Sequence, residues 1–167
     1  STLMRSSAAS DVYKRQDHKI YSETELHARY EILLENYSKV LRIEALTMLD
    51  MVQTDILPAV SDYTAKLVRT AAEKKSLLGD AAGGYEYKTA ARLSALTETA
   101  SEDAAKLSDA LLQAGELPSA QEAADFYQAE VFKDMAELRL AVDEMETLTS
   151  RACWPYPTYG ELLFSVR

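Results

Sequence analysis

Residues 22–60 read SETELHARYEILLENYSKVLRIEALTMLDMVQTDILPAV, and this stretch decides the fold. Its apolar side chains recur every three or four residues, as they do on one face of an α-helix, and not at every second residue as in a strand. Ser22 and Glu25 have the spacing of a capping box, in which the two side chains bond to amide groups at the start of a helix. The pattern predicts an amphipathic helix whose apolar stripe lies in the core. The stripe comprises Leu26, Tyr30, Leu33, Tyr37, Val40, Leu41, Leu46, Met48, Met51, Ile56 and Leu57.

The same period continues beyond Pro58 as far as Leu78. Proline lacks an amide hydrogen and crowds the carbonyl four residues earlier, so we expect a kink or a short break near Pro58. A straight helix over 23–78 would measure about 80 Å, which favours a bend in a small domain. Gly79 is placed to end this helix with a left-handed residue.

Two further helices are predicted downstream. Residues 79–86, GDAAGGYE, form a glycine-rich linker, and the second helix covers 87–114. The short turn 115–118 sends the chain back, and Ser119 with Glu122 repeats the capping-box spacing at the start of a third helix. We expect this helix to end near Arg151. The fold class is therefore all-α, an antiparallel up-down bundle of three long helices with the first kinked near Pro58.

The carboxyl-terminal tail, 152–167, reads ACWPYPTYGELLFSVR and differs in character from the helices. Two prolines and a glycine predict an irregular segment, with at most one helical turn near 159–164. Its apolar side chains are too many to face water together, so we expect them to pack on the bundle or on another part of a larger protein. They are Trp154, Tyr156, Tyr159, Leu162, Leu163 and Phe164.

The leader, residues 1–16, reads STLMRSSAASDVYKRQ and has no helical period. Residues 6–16 look like translated sequencing-adapter read-through; the alternative is a mobile basic tail. We exclude the leader from the fold and expect a single helical domain over 17–167. The adapter interpretation also predicts that the natural chain continues upstream of Asp17.

Composition narrows the classes of function. The chain has 167 residues and a net charge of −9, which argues against nucleic acid as a partner, because phosphate binding needs a basic surface. Cys153 is the single cysteine, so no internal disulfide forms. No apolar run approaches the ~20 residues of a membrane span, and no signal peptide is visible. We expect a cytoplasmic protein without a membrane partner.

The residues that could ligate a metal or attack a substrate do not form a known motif. The histidines are His18 and His27, and neither completes the Glu-x-x-His motif of di-iron bundles. Glu23 and His27 are four residues apart, but a solvated helix face explains that spacing better than a metal site. Cys153 has no histidine near it in sequence, and beside Trp154 it is better explained by packing.

The glycines, the acidic residues and the tyrosines also have simpler explanations than a site. Gly79, Gly83 and Gly84 form neither a P-loop nor a dinucleotide fingerprint, and we interpret them as a linker. Tyrosines at helical spacing are expected in the core with the hydroxyl at its rim. The remaining candidates are the acidic patch Glu102, Asp103 and Asp109, interpreted as a solvated face, and the tyrosine pair Tyr30 and Tyr37. We therefore assign no catalytic, cofactor-binding or metal-binding residue.

Two stretches carry a resemblance to a known family. The segment ELHARYEILLENYSKVLRIEALTMLDMVQTDILPAV, 25–60, and the tail WPYPTYGELLFSV, 154–166, resemble the C-terminal region of type III glutamine synthetases in order, separation and final position. The resemblance covers about 150 residues from near Asp17 to the end. It implies a parent enzyme that joins ammonia to glutamate with ATP and magnesium, and hence nitrogen metabolism and glutamine biosynthesis.

The resemblance also implies where the chemistry of that parent lies. The ATP, glutamate and metal residues belong to domains upstream, so no catalytic residue and no cofactor is carried over to this chain. Its expected partners are its own catalytic domain and sister subunits of a homo-oligomer. Two alternatives remain open: a free-standing helical interaction module, and a small metal- or ligand-binding bundle.

Overall fold

A computed structural model describes residues 21–157 of the chain. Over this range the chain forms three long helices and no strand, which confirms the all-helical prediction. The first helix consists of α1 (Glu23–Asp50), the π-helical segment π1 (Met51–Ile56) and α2 (Leu57–Leu78). The second is α3 (Gly84–Gly115). The third consists of α4 (Ala120–Phe126), the π-helical segment π2 (Tyr127–Val131) and α5 (Phe132–Leu148).

Several predictions fall outside the described residues. They are the leader 1–16, the histidine at position 18, the helical turn at 159–164 and the apolar residues of the tail beyond 157.

Serine hydroxyls begin two of the helices, as their spacing predicts. The Ser22 Oγ accepts a bond of 3.1 Å from the amide of Glu25, and the Glu25 Oε1 accepts one of 3.0 Å from the amide of Ser22. This is the complete capping box. The Ser119 Oγ accepts a bond of 3.1 Å from the amide of Glu122. Gly79 ends α2 at the expected position and has a positive φ of +102°, but its ψ of 173° lies outside the left-handed helical conformation that was expected.

The irregularity expected at Pro58 takes the form of a π-helical segment. In π1 the amide of Leu57 bonds to the carbonyl of Val52, five residues earlier. Pro58 follows at the start of α2. Its missing amide hydrogen therefore lies next to the segment in which the helix hydrogen bonds join residues five apart instead of four. The chain stays helical, so no break occurs. The second segment, π2, was not predicted, and no proline or glycine marks it in the sequence.

One apolar core joins the three helices. The fully buried side chains come from all of them, and two nearly inaccessible alanines of α3, Ala100 and Ala104, let the neighbouring helices approach closely. Core packing of this kind supplies most of the stability of a helical domain. The largest buried side chains are Val52, Val60, Leu93, Leu107, Val131, Leu138 and Met145.

Two predicted boundaries were wrong. Helix α3 begins at Gly84, because Gly83 takes a left-handed conformation at its cap, so the linker is 79–83 rather than 79–86. The third helix ends at Leu148 and not near Arg151, because Thr149 adopts an extended conformation.

The predicted core stripe of the first helix was wrong in its amino-terminal part. Its first buried residue is Leu41. The first helix has 56 residues, with 28 in α1, 6 in π1 and 22 in α2, whereas the second helix has 32. Part of the first helix therefore extends past its neighbours. Predicted core positions of the first helix that are exposed are Leu26, Tyr30, Leu33, Tyr37, Val40 and Leu46.

Candidate functional site

The larger groove of the described residues lies between α3 and the third helix, and its lining is acidic. It encloses about 920 Å³. Lys106 is the cation of the lining, and the apolar residues Leu117 and Phe126 close part of the groove. The acidic side chains that line it are Glu102, Asp109, Glu122, Asp125, Glu130 and Asp134.

Asp134 is the buried acid of this groove. Its side chain is 3% exposed, and its Oδ1 makes no hydrogen bond. The Nζ of Lys106 lies 3.6 Å from that oxygen and 3.2 Å from the Oε1 of Glu137. Burial raises the pKa of Asp134, and the nearby Lys106 opposes this shift. Burial followed by the charge of Glu137 raises the pKa of Asp103.

Lys106 therefore acts as the counter-ion of a helix interface. Its hydrogen bond to Glu137 is the main cause that raises its own pKa, which keeps the ammonium charged. A lysine held charged between carboxylates does not serve as a base or nucleophile at neutral pH. The arrangement stabilises contact between the second and third helices.

A second cleft, of about 740 Å³, lies between α2 and the start of α3. Gly83 is required here: its φ is +83°, and a Cβ at this position would lie 2.9 Å from the carbonyl oxygen of Ala71. The close approach brings the buried carboxylate of Glu86 to 2.7 Å from the Nζ of Lys74. This bond lowers the pKa of Glu86. The ion pair therefore joins the two helices beside the tight turn, and neither of its residues lines the cleft.

Two further polar contacts connect distant parts of the chain. The Nε and Nη2 of Arg92 donate to the two carboxylate oxygens of Glu144, at 2.6 and 2.7 Å. This bond lowers the pKa of Glu144. The hydroxyl of Tyr156 donates to the Oδ2 of Asp55 at 2.5 Å, which raises the pKa of Tyr156 to about 12. Tyr156 and Trp154 pack against the core, so the start of the tail lies on the bundle, which is one of the two positions that the sequence left open.

The residues singled out from the sequence are not brought together. His27 lies in the exposed first turns of α1, where its Nε2 is 3.6 Å from Glu31 rather than from Glu23. Cys153 is half-buried near Tyr63, whose pKa is raised mainly by burial, with smaller contributions from Tyr85 and Cys153. Over 21–157, no three His, Cys, Asp or Glu side chains are grouped as metal ligands would be. No helix in that range has the length and apolar character that crossing a membrane requires.

Sequence reasoning missed the two buried acids, Glu86 and Asp134. Glu86 was placed in a linker, although its spacing of three from Thr89 and four from Ala90 puts it on the buried side of α3. Asp134 precedes the predicted core residue Met135, and the apolar period gave no sign that an acid is buried beside it.

The most unusual surface is the arm, which we define as residues 23–40 of α1. Leu26, Tyr30, Leu33, Tyr37 and Val40 form one stripe along it, and each is between 39% and 65% exposed. Tyr30 and Tyr37 were expected in the core and are in fact on this exposed surface. Because large exposed apolar patches mark interaction sites, the arm is the candidate functional surface of the chain.

The chain is similar to part of several longer known proteins. The family described as "Glutamine synthetase C-terminal domain" matches residues 2–75, a range that includes most of the leader. The chain is 38% identical over 157 residues to a glutamine synthetase of Butyrivibrio fibrisolvens, covering 94% of this chain and 22% of that protein. It is 26% identical over 170 residues to a type-3 glutamine synthetase of Dictyostelium discoideum, covering 94% and 23%. The chain thus spans about a fifth of the length of these relatives.

A glutamine synthetase of Bacteroides fragilis is 27% identical over 153 residues, with 88% of this chain and 21% of that protein covered. The matched relatives agree in name with the matched family. Residues 2–75 therefore match the glutamine synthetase C-terminal domain family, and most of the chain is similar to proteins named glutamine synthetase.

Proposed function

We propose that this chain is the structural C-terminal domain of a type III glutamine synthetase. In the parent enzyme, ammonia would be joined to glutamate with ATP and magnesium, in the cytoplasm, by a homo-oligomer. The observation that carries the proposal is the match of almost the whole chain to about a fifth of relatives named glutamine synthetase, one of which is a type-3 enzyme. The name of the family that matches residues 2–75 supports a carboxyl-terminal position in the parent.

The described residues do not fit a Mg–ATP site. Magnesium is held by carboxylates beside substrate phosphates, and phosphates are cradled by backbone amides and cations. The acids of the larger groove are spread over two helices, and its cation, Lys106, is already paired with Glu137. We derive no catalytic step through this chain and assign the chemistry to the missing part of the parent.

A rigid helical body suits a structural role. The Arg92–Glu144 and Lys106–Glu137 pairs connect the second and third helices in opposite chain order. This order supports an up-down arrangement with the third helix running back along the second. Such a body holds its surfaces in fixed relative positions, which a domain that buttresses an enzyme needs.

The test is an activity comparison in the parent gene. The complete open reading frame is expressed with and without residues 21–167, beside the 167-residue chain alone, and glutamine formation from glutamate, ammonia and ATP is measured. We expect activity from the complete protein, none from the isolated chain, and reduced stability or assembly in the truncated protein. Glutamine formation by the isolated chain would overturn the structural role.

A free-standing interaction module is the second candidate. The exposed stripe of the arm favours it, since an adaptor also needs an apolar docking surface. An in-frame stop codon closely upstream of residue 17 in the genome would decide for this alternative. A continuous upstream reading frame that encodes clustered metal-ligand carboxylates would decide against it.

A further inference from the structure

The apolar stripe of the arm, residues 23–40 of α1, is left exposed by the described part of the chain. Leu34 and Ser38 are the half-buried positions of the arm, and the others are exposed. Its five apolar stripe residues follow one another at spacings of four, three, four and three, which aligns them along one side of a helix. An apolar line of this kind is the pattern of a helix that docks against another surface.

The length of the arm supports the same conclusion. Eighteen helical residues extend about 27 Å. Most helical stability in proteins comes from packing of the apolar face, and a helix end without such packing opens locally at little free-energy cost. The capping box at Ser22 fixes where the arm begins but does not bury its stripe. A partner that covers the stripe would therefore be needed for the arm to be as stable as the body.

Charge does not direct the docking. The arm contains four acids, Glu23, Glu25, Glu31 and Glu35, and two cations, Arg29 and Lys39, so its formal charge is −2 with histidine neutral. The acids and cations are spread around the helix, and Arg29 already stacks 4.2 Å from the centre of the Tyr21 ring. Apolar contact is therefore the dominant attraction between the arm and the surface on which it docks.

Two possible occupants fit poorly. A second copy pairing arm to arm would form about two and a half heptads, fewer than the three to four that indicate a coiled coil. The tail beyond Pro157 starts close to Asp55, which bonds to Tyr156. Asp55 is 29 residues from Leu26, about 43 Å along a helix, whereas ten extended residues reach about 35 Å, so residues 158–167 could reach the near end of the stripe but could not cover all of it.

We propose that the stripe Leu26, Tyr30, Leu33, Tyr37 and Val40 docks on an apolar surface of the preceding part of the same full-length polypeptide. This inference rests on the proposed function, in which the chain is the last fifth of a longer protein. The arm is the amino-terminal end of the described helices, where the preceding part would be attached. Covalent attachment keeps that part at high effective concentration, so a stripe of moderate size suffices.

The test uses amide hydrogen exchange of the arm in the full-length protein and in the 167-residue chain. Two double variants are compared in the full-length protein. Leu33→Gln with Val40→Gln removes stripe contacts, and Leu112→Gln with Val68→Gln is the matched control. The exposed fractions are 65% and 53% in the stripe and 68% and 53% in the control. Glutamine is a good helix former, so none of these changes disfavours the helix itself.

We expect amides of 23–40 to exchange at least about tenfold more slowly in the full-length protein than in the chain alone. The stripe variant should restore fast exchange, and the control variant should not. Equal exchange in both proteins, or equal behaviour of both variants, would overturn the proposal. Two other results would overturn it as well: faster arm exchange when the chain stops after Pro157, which would indicate the tail, and protection that depends on concentration, which would indicate a second copy.

Glutamine formation by the same full-length preparation separates this inference from the proposed function. An active ligase with an unprotected arm contradicts the docking alone. An inactive full-length protein with a protected arm contradicts the proposed function alone.

Discussion

The arm and the body of the first helix have the same apolar period and opposite environments. In the arm, residues 23–40, the stripe faces solvent, whereas the buried side chains of the first helix begin at Leu41 and lie on a neighbouring face, where they pack against the other helices. The two regions belong to one continuous helix. The apolar period therefore identifies an apolar face of a helix, but it does not indicate where along the helix that face has a partner.

The largest difference should appear when a leucine is truncated in each region. Leu107→Ala in the body opens a cavity at a fully buried site, so we expect a loss of about 2–5 kcal/mol in the free energy of unfolding. Leu33→Ala in the arm removes a side chain that already faces water, and we expect a change within about 0.5 kcal/mol. Denaturant unfolding of the isolated chain measures both, and equal losses would show that the arm is buried in the same core.

The tight turn of the body offers a second comparison. Gly83→Ala forces a side chain into a left-handed conformation against the carbonyl of Ala71, so we expect a loss of about 1–2 kcal/mol. Gly84→Ala, one residue later, meets no atom within 4 Å and should be neutral or slightly stabilising. The unfolding midpoints of both variants check this, and similar midpoints would contradict the close packing of α3 on α2.

Two helix caps, one in the body and one at the start of the arm, allow the same comparison of stability. Ser119→Ala removes a cap in the body and should lower the free energy of unfolding by about 1 kcal/mol. Ser22→Ala removes the equivalent bond in the arm, where opening is local, so it should speed amide exchange over 23–28 and leave the unfolding midpoint unchanged. A shift of the midpoint by Ser22→Ala as large as that of Ser119→Ala would indicate that arm and body unfold together.

A smaller effect is expected at the junction of the tail with π1. The hydrogen bond to Asp55 raises the pKa of Tyr156 to about 12, because it favours the neutral phenol. A folded-state pKa above the unfolded value of about 10 means that this contribution to stability is present below pH 10 and is lost as the pH rises to about 12. The ultraviolet titration of the wild type minus that of Tyr156→Phe should give this midpoint. In Asp55→Asn the midpoint should fall, and an unchanged value would contradict the bond.

The sequence predicted the helices and their caps because those depend on local chemistry. Ser22, Ser119 and Gly79 act through bonds within a few residues, and each is found where its spacing placed it. The sequence predicts Gly84 in the linker, because glycine is common both in turns and at helix starts. Only the left-handed conformation of Gly83 shows that α3 begins at Gly84. The segment π2 has no proline or glycine to indicate it.

The candidate site was harder to predict because it depends on contacts between helices. The exposed stripe was read as core, since its period is the same as that of buried residues. The burial of Asp134 likewise arises from the third helix packing on α3, which no local pattern encodes. The resemblance to glutamine synthetases came from two specific stretches and is confirmed by the family match and by the named relatives.

The most direct measurement is residue-resolved amide hydrogen exchange on the 167-residue chain. Local opening ranges from almost no free-energy cost at unpacked ends to the full unfolding free energy in the core. We therefore predict that amides of 26–36 exchange on the order of a hundredfold or more faster than those of 93–107. Equal protection of the two ranges would show that the arm has a partner within this chain, and would contradict the division of the first helix into an exposed arm and a packed body.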